Sequence, residues 1–547
     1  MAGFSVSTNA SISSLTVPGQ SYVAGTTNTR RARMTFGDGF FTNTTYQDMC
    51  TRAGFILPVT PTRCRIIVRN NAVTLNTTVP LTMNFTGIWW GTPNTTSEPT
   101  WLGDFATAPT QVLGPFVVDP GATGAEYTSA WFTPPKSFVP YGLQGLSYGL
   151  TVATDNTVRL GADPGLTWHG VTGAGCAAIA GGAAAPLAAG TLSPATVVAD
   201  VRLEYEFVGP QQIGLFIGDS LTAGSYASYS AQSFGQNGPA SSWPSIGTVR
   251  LGHCAVNAGS GGAVSNTFLS TSALAYTRLD LATCVPDYAV IALGVNDSAT
   301  SNLTTVANTP NTLANYTANI LQIITNLQAF GINKIYLCTI TPGPPTYITG
   351  SPATTFQVGT LGTAQTNGFG GAVISPVVVN LPAGSSGGWP GASSSTNAYG
   401  PPGRATDWYN AAITTGPKGA IWIGIPGGNA NTLGVTLDGP YPVTIAAGGA
   451  GIAVTLTTSG TTVYTHAVGE PVFALREGYR QVYNSFIRSQ PPEISAVIDM
   501  APAAEFGLSY PTQQSPLYYG VLADVHPQGP GLYNVMAQAF VSAVAGI

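Results

Sequence analysis

The sequence predicts a multidomain protein: an α/β domain on a parallel sheet, preceded by an antiparallel, jelly-roll-like β-sandwich and interrupted by a β-rich insert. Three observations predict it. Up to about Gly209 the chain runs in short alternating segments punctuated by Gly, Pro, Asn and Thr, among them Arg65 to Val68, Thr78 to Phe85, Leu146 to Val152 and Val197 to Phe207, which is the spacing of a sandwich. From Gln212 onward come five compact apolar runs, Ile213 to Ile217, Cys254 to Val256, Tyr288 to Leu293, Ile335 to Ile340 and Ala496 to Met500. They alternate with helix-like stretches at Ser265 to Thr283, Thr312 to Phe330, Arg476 to Ser489 and Leu532 to Val544. Continuous apolar strands alternating with helices indicate a parallel sheet covered on both faces. Between about Thr341 and Pro471 the composition returns to Gly, Thr, Ser and Pro, with β-like runs at Val373 to Val379, Ile421 to Ile425, Tyr441 to Ile445 and Gly451 to Leu456. A loop of that length without structure of its own would be abnormal.

The division that follows is an N-terminal arm or small β unit at 1–60, a β-sandwich at 61–210, the α/β domain in two parts at 211–345 and 473–547, and the insert at 346–472. A chain of 547 residues exceeds one ordinary core. Only 7% of residues are charged and Lys occurs three times, against roughly 25% charged in an average soluble domain. Thr, Asn and Ser fill the polar positions instead. The net charge of −5 suggests no cationic face for nucleic acid. Arg30, Arg31 and Arg33 form a short basic cluster, read as a solvated loop. Six cysteines (Cys50, Cys64, Cys176, Cys254, Cys284, Cys338) occur without a C-x-x-C pair, which argues against zinc. Cys254, Cys284 and Cys338 fall in or beside apolar runs and are expected as buried thiols; a Cys50–Cys64 disulfide is left open. Met1 to Gln20 lacks the basic and apolar regions of a signal peptide. Thr172 to Gly190 is too weakly apolar for a membrane span.

Four segments carry chemistry. The first parallel strand ends in Gly218-Asp219-Ser220-Leu221-Thr222-Ala223-Gly224, which puts a serine at the sheet edge where open α/β folds bind ligands. Its alcohol needs a base to become a nucleophile. The second strand runs into Asn257-Ala258-Gly259-Ser260-Gly261-Gly262, where glycine allows close backbone approach and offers N–H donors; a plain strand-to-helix turn is the bland alternative. The third ends in Gly294-Val295-Asn296-Asp297, an amide suited to a developing oxyanion or, more simply, an Asx turn. Near the C-terminus stands Asp524-Val525-His526-Pro527, followed by Gly531 and a final helix. The chain has four histidines; His169, His253 and His466 are read as structural or surface residues.

In order and position these segments resemble the SGNH (GDSL) hydrolase family, whose four marker residues correspond to Ser220, Gly259, Asn296 and His526. The resemblance covers about Gln212 to Thr341 and Pro471 to Ile547. It implies a flavodoxin-like α/β/α fold and ester hydrolysis without metal or cofactor. Ser220 would be the nucleophile and His526 its base, with an oxyanion hole from the Ser220 N–H, the Gly259 N–H and the Asn296 side chain. Asp219 and Asp297 would order their loops. One position departs: the family's triad acid lies three residues before the histidine, which here is Ala523, while Asp524 is two before. Either Asp524 orients His526, or a backbone carbonyl does so in a Ser–His dyad.

The expected function is a serine esterase removing O-acetyl or other short acyl groups from a surface polysaccharide. The β-rich regions around the catalytic domain hold Trp89, Trp90, Trp389, Trp408 and Trp422, for which glycan contact and core packing are both open. Two alternatives stand beside it: a lipid or small-ester hydrolase, and a phage virion spike, tail or other surface-assembly protein that binds host glycan with secondary or lost esterase activity. The partners expected are an acylated polysaccharide or other ester, with a homo-oligomer or virion assembly left open, and an extracellular or virion-associated place.

Overall fold

The computed structural model describes residues 29–35, 41–42, 48–70, 82–94, 105–119, 125–151, 159–160, 175–177, 193–194, 200–224, 242–259, 263–270, 276, 279–298, 312–341, 357–362, 377–380, 420–423, 438–445, 453–458, 466, 468–504 and 530–545. Strands are numbered in chain order. One antiparallel sheet takes the order β1 (Thr29–Thr35), β13 (Asp200–Val208), β4 (Arg63–Asn70), β8 (Ala125–Thr128). A second, of seven strands, runs β12 (Ser193–Pro194), β11 (Gly175–Ala177), β3 (Asp48–Ile56), β9 (Leu143–Thr151), β5 (Met83–Gly91), β6 (Thr110–Leu113), with β7 (Phe116–Val118) also on β5. β2 (Phe41–Thr42) and β10 (Arg159–Leu160) pair separately. Thus Thr29–Thr35 and Asp48–Ile56, expected in a separate arm or small unit at 1–60, are strands of these sheets, and β3 sits inside the larger one. Their alternation explains why: Ala32 and Met34 on β1 and Ala53 and Phe55 on β3 are buried, and a strand with one apolar face must cover it. Both sheets contribute to one buried apolar cluster, from Ile66, Val68, Leu203 and Tyr205 on the first to Phe85, Ile88, Trp90 and Tyr148 on the second. Trp90 is core: it is fully buried, packs edge-on against Phe55 and Phe138, and donates its indole N–H to Gln144 Oε1 at 2.9 Å.

β13 reads Asp-Val-Arg-Leu-Glu-Tyr-Glu-Phe-Val, with Val201, Leu203, Tyr205 and Phe207 turned to the core. Its other face carries Glu204 and Glu206, each directly opposite one arginine on either neighbour: Arg33 and Arg65 flank Glu204, Arg31 and Arg63 flank Glu206. Arg33 Nε donates to Glu204 Oε2 at 2.5 Å and Arg65 Nε to Oε1 at 2.7 Å. Arg31 Nη2 and Arg63 Nε each reach Glu206 at 2.6 Å. Trp131 lies under the guanidinium groups of Arg31, Arg63 and Arg65. The basic cluster expected as a solvated loop is therefore a strand, with Arg33 buried and Arg31 ion-paired. Arg30 also pairs, with Asp287 at 2.6 Å.

The α/β domain follows. β14 (Ile213–Gly218), β15 (Cys254–Gly259), β16 (Tyr288–Ala292), β17 (Ile335–Cys338) and β24 (Ala496–Ile498) form a parallel sheet in the order β15-β14-β16-β17-β24. This is the 2-1-3-4-5 order of flavodoxin-like sheets. The helices are α1 (Ser220–Ala223), α2 (Trp243–Leu251), α3 (Leu313–Ala329), α4 (Leu475–Arg488), α5 (Ala501–Ala504) and α6 (Pro530–Val544). Alternate strand residues bury opposite ways, which gives three layers. Leu215, Ile217, Ile291 and Leu337 share one cluster with Ile320 and Ile324 of α3 and Tyr483 of α4. Phe216, Val290, Tyr336 and Ile498 share the other with Trp243 of α2 and Phe540 of α6. The stretch expected as helix from Ser265 opens as one 3-10 turn, Ser265–Phe268, because Ser265 is held by Asp297.

Between β17 and α4 the chain builds a closed antiparallel barrel, in the order β18 (Gln357–Leu361), β19 (Val377–Asn380), β22 (Ala453–Thr458), β21 (Asp438–Ile445), β20 (Ala420–Ile423), β23 (Pro471–Ala474). β23 leads directly into α4. Across this excursion, Asn484 of α4 accepts from the Ile340 N–H at 2.7 Å and donates to its carbonyl at 2.9 Å. Cys64, Cys254, Cys284 and Cys338 are free and buried, which removes the Cys50–Cys64 bridge. Burial raises all four thiols, Cys254 and Cys284 to about 12. Among the described residues no helix is long and apolar enough to cross a membrane.

Glu204 is fully buried, so truncating it takes from the buried Arg33 guanidinium its shortest ion pair and leaves Asp280 at 3.3 Å. Glu204→Ala is expected to cost about 3–5 kcal/mol in urea denaturation. Arg63→Ala, at a half-exposed partner, is expected to cost far less.

Candidate active site

The carboxyl end of β14 lies between those of its neighbours. Gly218 pairs with Gly259 on β15 and with Ala292 on β16. The chain therefore brings Ser220, Gly259 and Asn296, each at or just past its strand end, to one edge of the sheet. It is also the switch point of the 2-1-3-4-5 order, the crevice where such folds bind ligands.

Ser220 is the first residue of α1. Asp219 caps that helix, its side chain accepting the Leu221 N–H at 2.9 Å, and Gly224 in the left-handed conformation closes it through the Ser220 carbonyl at 3.1 Å. This single turn places the hydroxyl-bearing residue at its dipole-positive end. Asp219 is nearly fully buried, and what it does is order the turn. Gly259 explains how α1 comes so close. A Cβ there would lie 2.3 Å from the Ala223 nitrogen, and one on Gly218 would lie 2.0 Å from Thr222 Oγ1.

Asn257 was not singled out from the sequence, yet it ties the second strand to the first helix. Its Nδ2 donates to the Thr222 carbonyl and its Oδ1 accepts the Gly259 N–H, both at 2.8 Å. An Asn two residues before a glycine is the Asx-turn signal that could have found it. The one N–H of Gly259 is thus engaged by Asn257 in this structure.

Asn296 donates through Nδ2 to the Ala263 carbonyl at 3.0 Å. An amide nitrogen carries two hydrogens, so this bond orients the side chain and uses one of them. Next to it, Asp297 is buried and takes the Ser265 backbone N–H at 3.0 and 2.9 Å and its hydroxyl at 2.5 Å. Tyr316 OH holds the Leu293 carbonyl at 2.9 Å, and burial pushes that phenol well up. The loop carrying Asn296 is therefore fixed from several sides.

His526 and Asp524 lie outside the described residues, as do His169, Trp389 and Trp408. His253 is buried with Nδ1 3.2 Å from Tyr288 OH, and burial lowers its pKa to about 4. His466 is buried 2.8 Å from Glu470. Glu204, Asp280 and Cys284 offer ligand atoms within 4.8 Å of one another. They suit a cation poorly: Glu204 already holds Arg33 and Arg65, and the Cys284 thiol is pushed up to about 12.

A serine at the switch point of a flavodoxin-like sheet stands where the nucleophile of a carboxylic ester hydrolase would be placed. Within that class, residues 216–362 match the GDSL-like Lipase/Acylhydrolase family. The match contains Ser220, Gly259 and Asn296 and stops before His526. None of the curated proteins compared with the chain is similar to it. Among solved structures, the chain is similar to a family two carbohydrate esterase from Clostridium thermocellum at 13% identity, with 57% of this chain and 80% of that one covered and a TM-score of 0.23. A family two carbohydrate esterase from Cellvibrio japonicus gives 11% identity, 58% and 80% coverage and a TM-score of 0.21. A catalytic mutant of Axe2, an acetylxylan esterase from Geobacillus stearothermophilus, gives 21% identity over 25% of this chain and 64% of that one, with a TM-score of 0.19.

Because the atoms opposing a Gly259 side chain are backbone, they cannot rotate away. Gly259→Ala is expected to destabilise the fold by about 1–3 kcal/mol, read as a lower urea midpoint, and to cut esterase activity alongside.

Proposed function

We propose that the protein is a serine esterase that removes O-acetyl or other short acyl groups from a surface polysaccharide. The observation that carries this reading is the placement of Ser220 on a one-turn helix at the switch point, beside the ends of the strands bearing Gly259 and Asn296. In the proposed reaction His526 takes the Ser220 proton as Oγ attacks the acyl carbon, and then returns it to the departing sugar hydroxyl. Water, activated by the same base, releases the acid. The tetrahedral oxyanion is met by the Ser220 N–H and by the second N–H of Asn296; Gly259 joins them by exchanging Asn257 for the oxyanion. No metal or cofactor takes part in these steps.

The same reading divides the chain into a β-sandwich over 61–210 that takes in the strands of 29–56, in place of a separate unit at 1–60, and a hydrolase domain split by the barrel. A sandwich and a barrel in the same chain as the catalytic edge offer extended surface for a polymer, which favours a glycan over a small lipid ester. The 7% charged residues and three lysines favour an extracellular or virion-associated place, where the protein would bind host glycan, in a homo-oligomer or virion assembly.

Acetate release from a panel of acetylated polysaccharides tests the reading. The wild type is expected to release acetate and to be labelled by a fluorophosphonate on Ser220, and Ser220→Ala to do neither while staying folded; labelling at another residue would sink it. Asp524 is proposed as the orienting acid. Its loss as Asp524→Asn is expected to lower kcat by several orders of magnitude, as in the serine protease where the equivalent change costs about ten-thousand-fold. A fall of less than about tenfold would instead assign the orienting role to a backbone carbonyl.

A further inference from the structure

We propose that Ser265 is a positioning residue for the oxyanion donor Asn296, acting through Asp297 and through the segment that presents the Ala263 carbonyl. The proposal rests on the esterase reading above and extends it to a residue lying 31 positions away in sequence from its target.

Two consecutive residues of one loop dock on one short stretch of another. Asn296 Nδ2 donates to the Ala263 carbonyl, and Asp297 receives both the backbone N–H and the hydroxyl of Ser265. Ser265 is fully buried and Asp297 is 2% exposed, so water competes for neither. The hydroxyl has one proton, and its direction is settled by a third group: Asn319 Nδ2 of α3 donates to Ser265 Oγ at 2.8 Å. Ser265 Oγ must then accept from Asn319 and give its proton to Asp297 at 2.5 Å. Donor chains of this kind polarise one another and fix a single arrangement. The backbone N–H of Ser265, divided between both carboxylate oxygens, sets the carboxylate plane as well.

The chemical consequence concerns the remaining N–H of Asn296. An oxyanion donor is effective when aimed, before reaction, at the place where charge develops, and small misplacements are costly. The amide plane of Asn296 is set by the Ala263 carbonyl, two residues before Ser265. Removing the Ser265 hydroxyl leaves Asp297 only the backbone N–H of that residue, and so loosens the segment with the Ala263 carbonyl and the 294–298 loop together. Ser265 touches no reacting atom in this scheme; it acts by holding the donor still.

A double-mutant cycle in the full-length protein separates positioning from general support. Asn296→Ala is expected to lower kcat on a small acetyl ester about a hundredfold or more. Ser265→Ala should lower kcat about tenfold with KM changed less than about twofold, and in the Asn296→Ala background it should cost less than about twofold further. Equal losses in both backgrounds, or no loss in the first, overturn the proposal while leaving the esterase reading intact. If Asn296→Ala leaves kcat unchanged and Ser220→Ala still hydrolyses the ester, the esterase reading falls and this proposal with it. Should Ser265→Ala fail to fold, Asn319→Ala enters the same cycle, since it removes the donor that directs the Ser265 proton, and the same non-additivity is expected on a smaller scale.

Discussion

The candidate site depends on one close approach: a helical turn lying directly on the ends of two parallel strands with no side chain between them. Gly218 and Gly259 are the two residues that permit it, each facing atoms of α1 at distances no Cβ could tolerate. The rest of this edge is arranged around that contact. Asp219 caps the turn, Asn257 fastens it to β15, and the serine at its start is held at the sheet edge. The neighbouring loop with Asn296 is built on a different principle, a buried carboxylate satisfied by one serine. One strand end is tight because it lacks side chains, the other because its buried carboxylate is bonded across to a second loop.

A chain with so few charges sets several of them in one ladder. The strand β13 of the smaller antiparallel sheet carries two glutamates, each bracketed by arginines at the paired positions of both neighbours. Burying such groups costs desolvation, and apolar replacements are often no less stable. What the charges supply is register. Sliding β1 or β4 by two residues would keep every apolar side chain on the core face. It would also leave one arginine of the slipped strand without its glutamate, opposite Val208 in one direction and Arg202 in the other. The ladder therefore discriminates where hydrophobicity cannot.

The parallel strands were legible to within three residues at either end, because strands buried on both faces read as unbroken apolar runs. Thr312 and Phe330, read as the bounds of a helix, are the caps of α3. The placement of Ser220, Gly259 and Asn296 at one edge of the sheet was legible because each lies at or just past the end of its own strand. The arginine strand was not: its partners Glu204 and Glu206 lie more than 170 residues away, and locally Arg-Arg-Ala-Arg looks like a loop. The 3-10 turn at Ser265 was hidden for the same reason, since its partner Asp297 is remote in sequence. Apolar period travels along the chain, while polar pairing across it does not.

The barrel enters and leaves through strands that touch. β18 and β23, its first and last, are hydrogen-bonded neighbours, and Asn484 pins the backbone at Ile340 on the far side of the excursion. The two halves of the α/β sheet are therefore stitched together independently of the module threaded between them. Such a junction can carry modules of other shapes and lengths, because the bonds that close it at Ile340 lie outside the barrel.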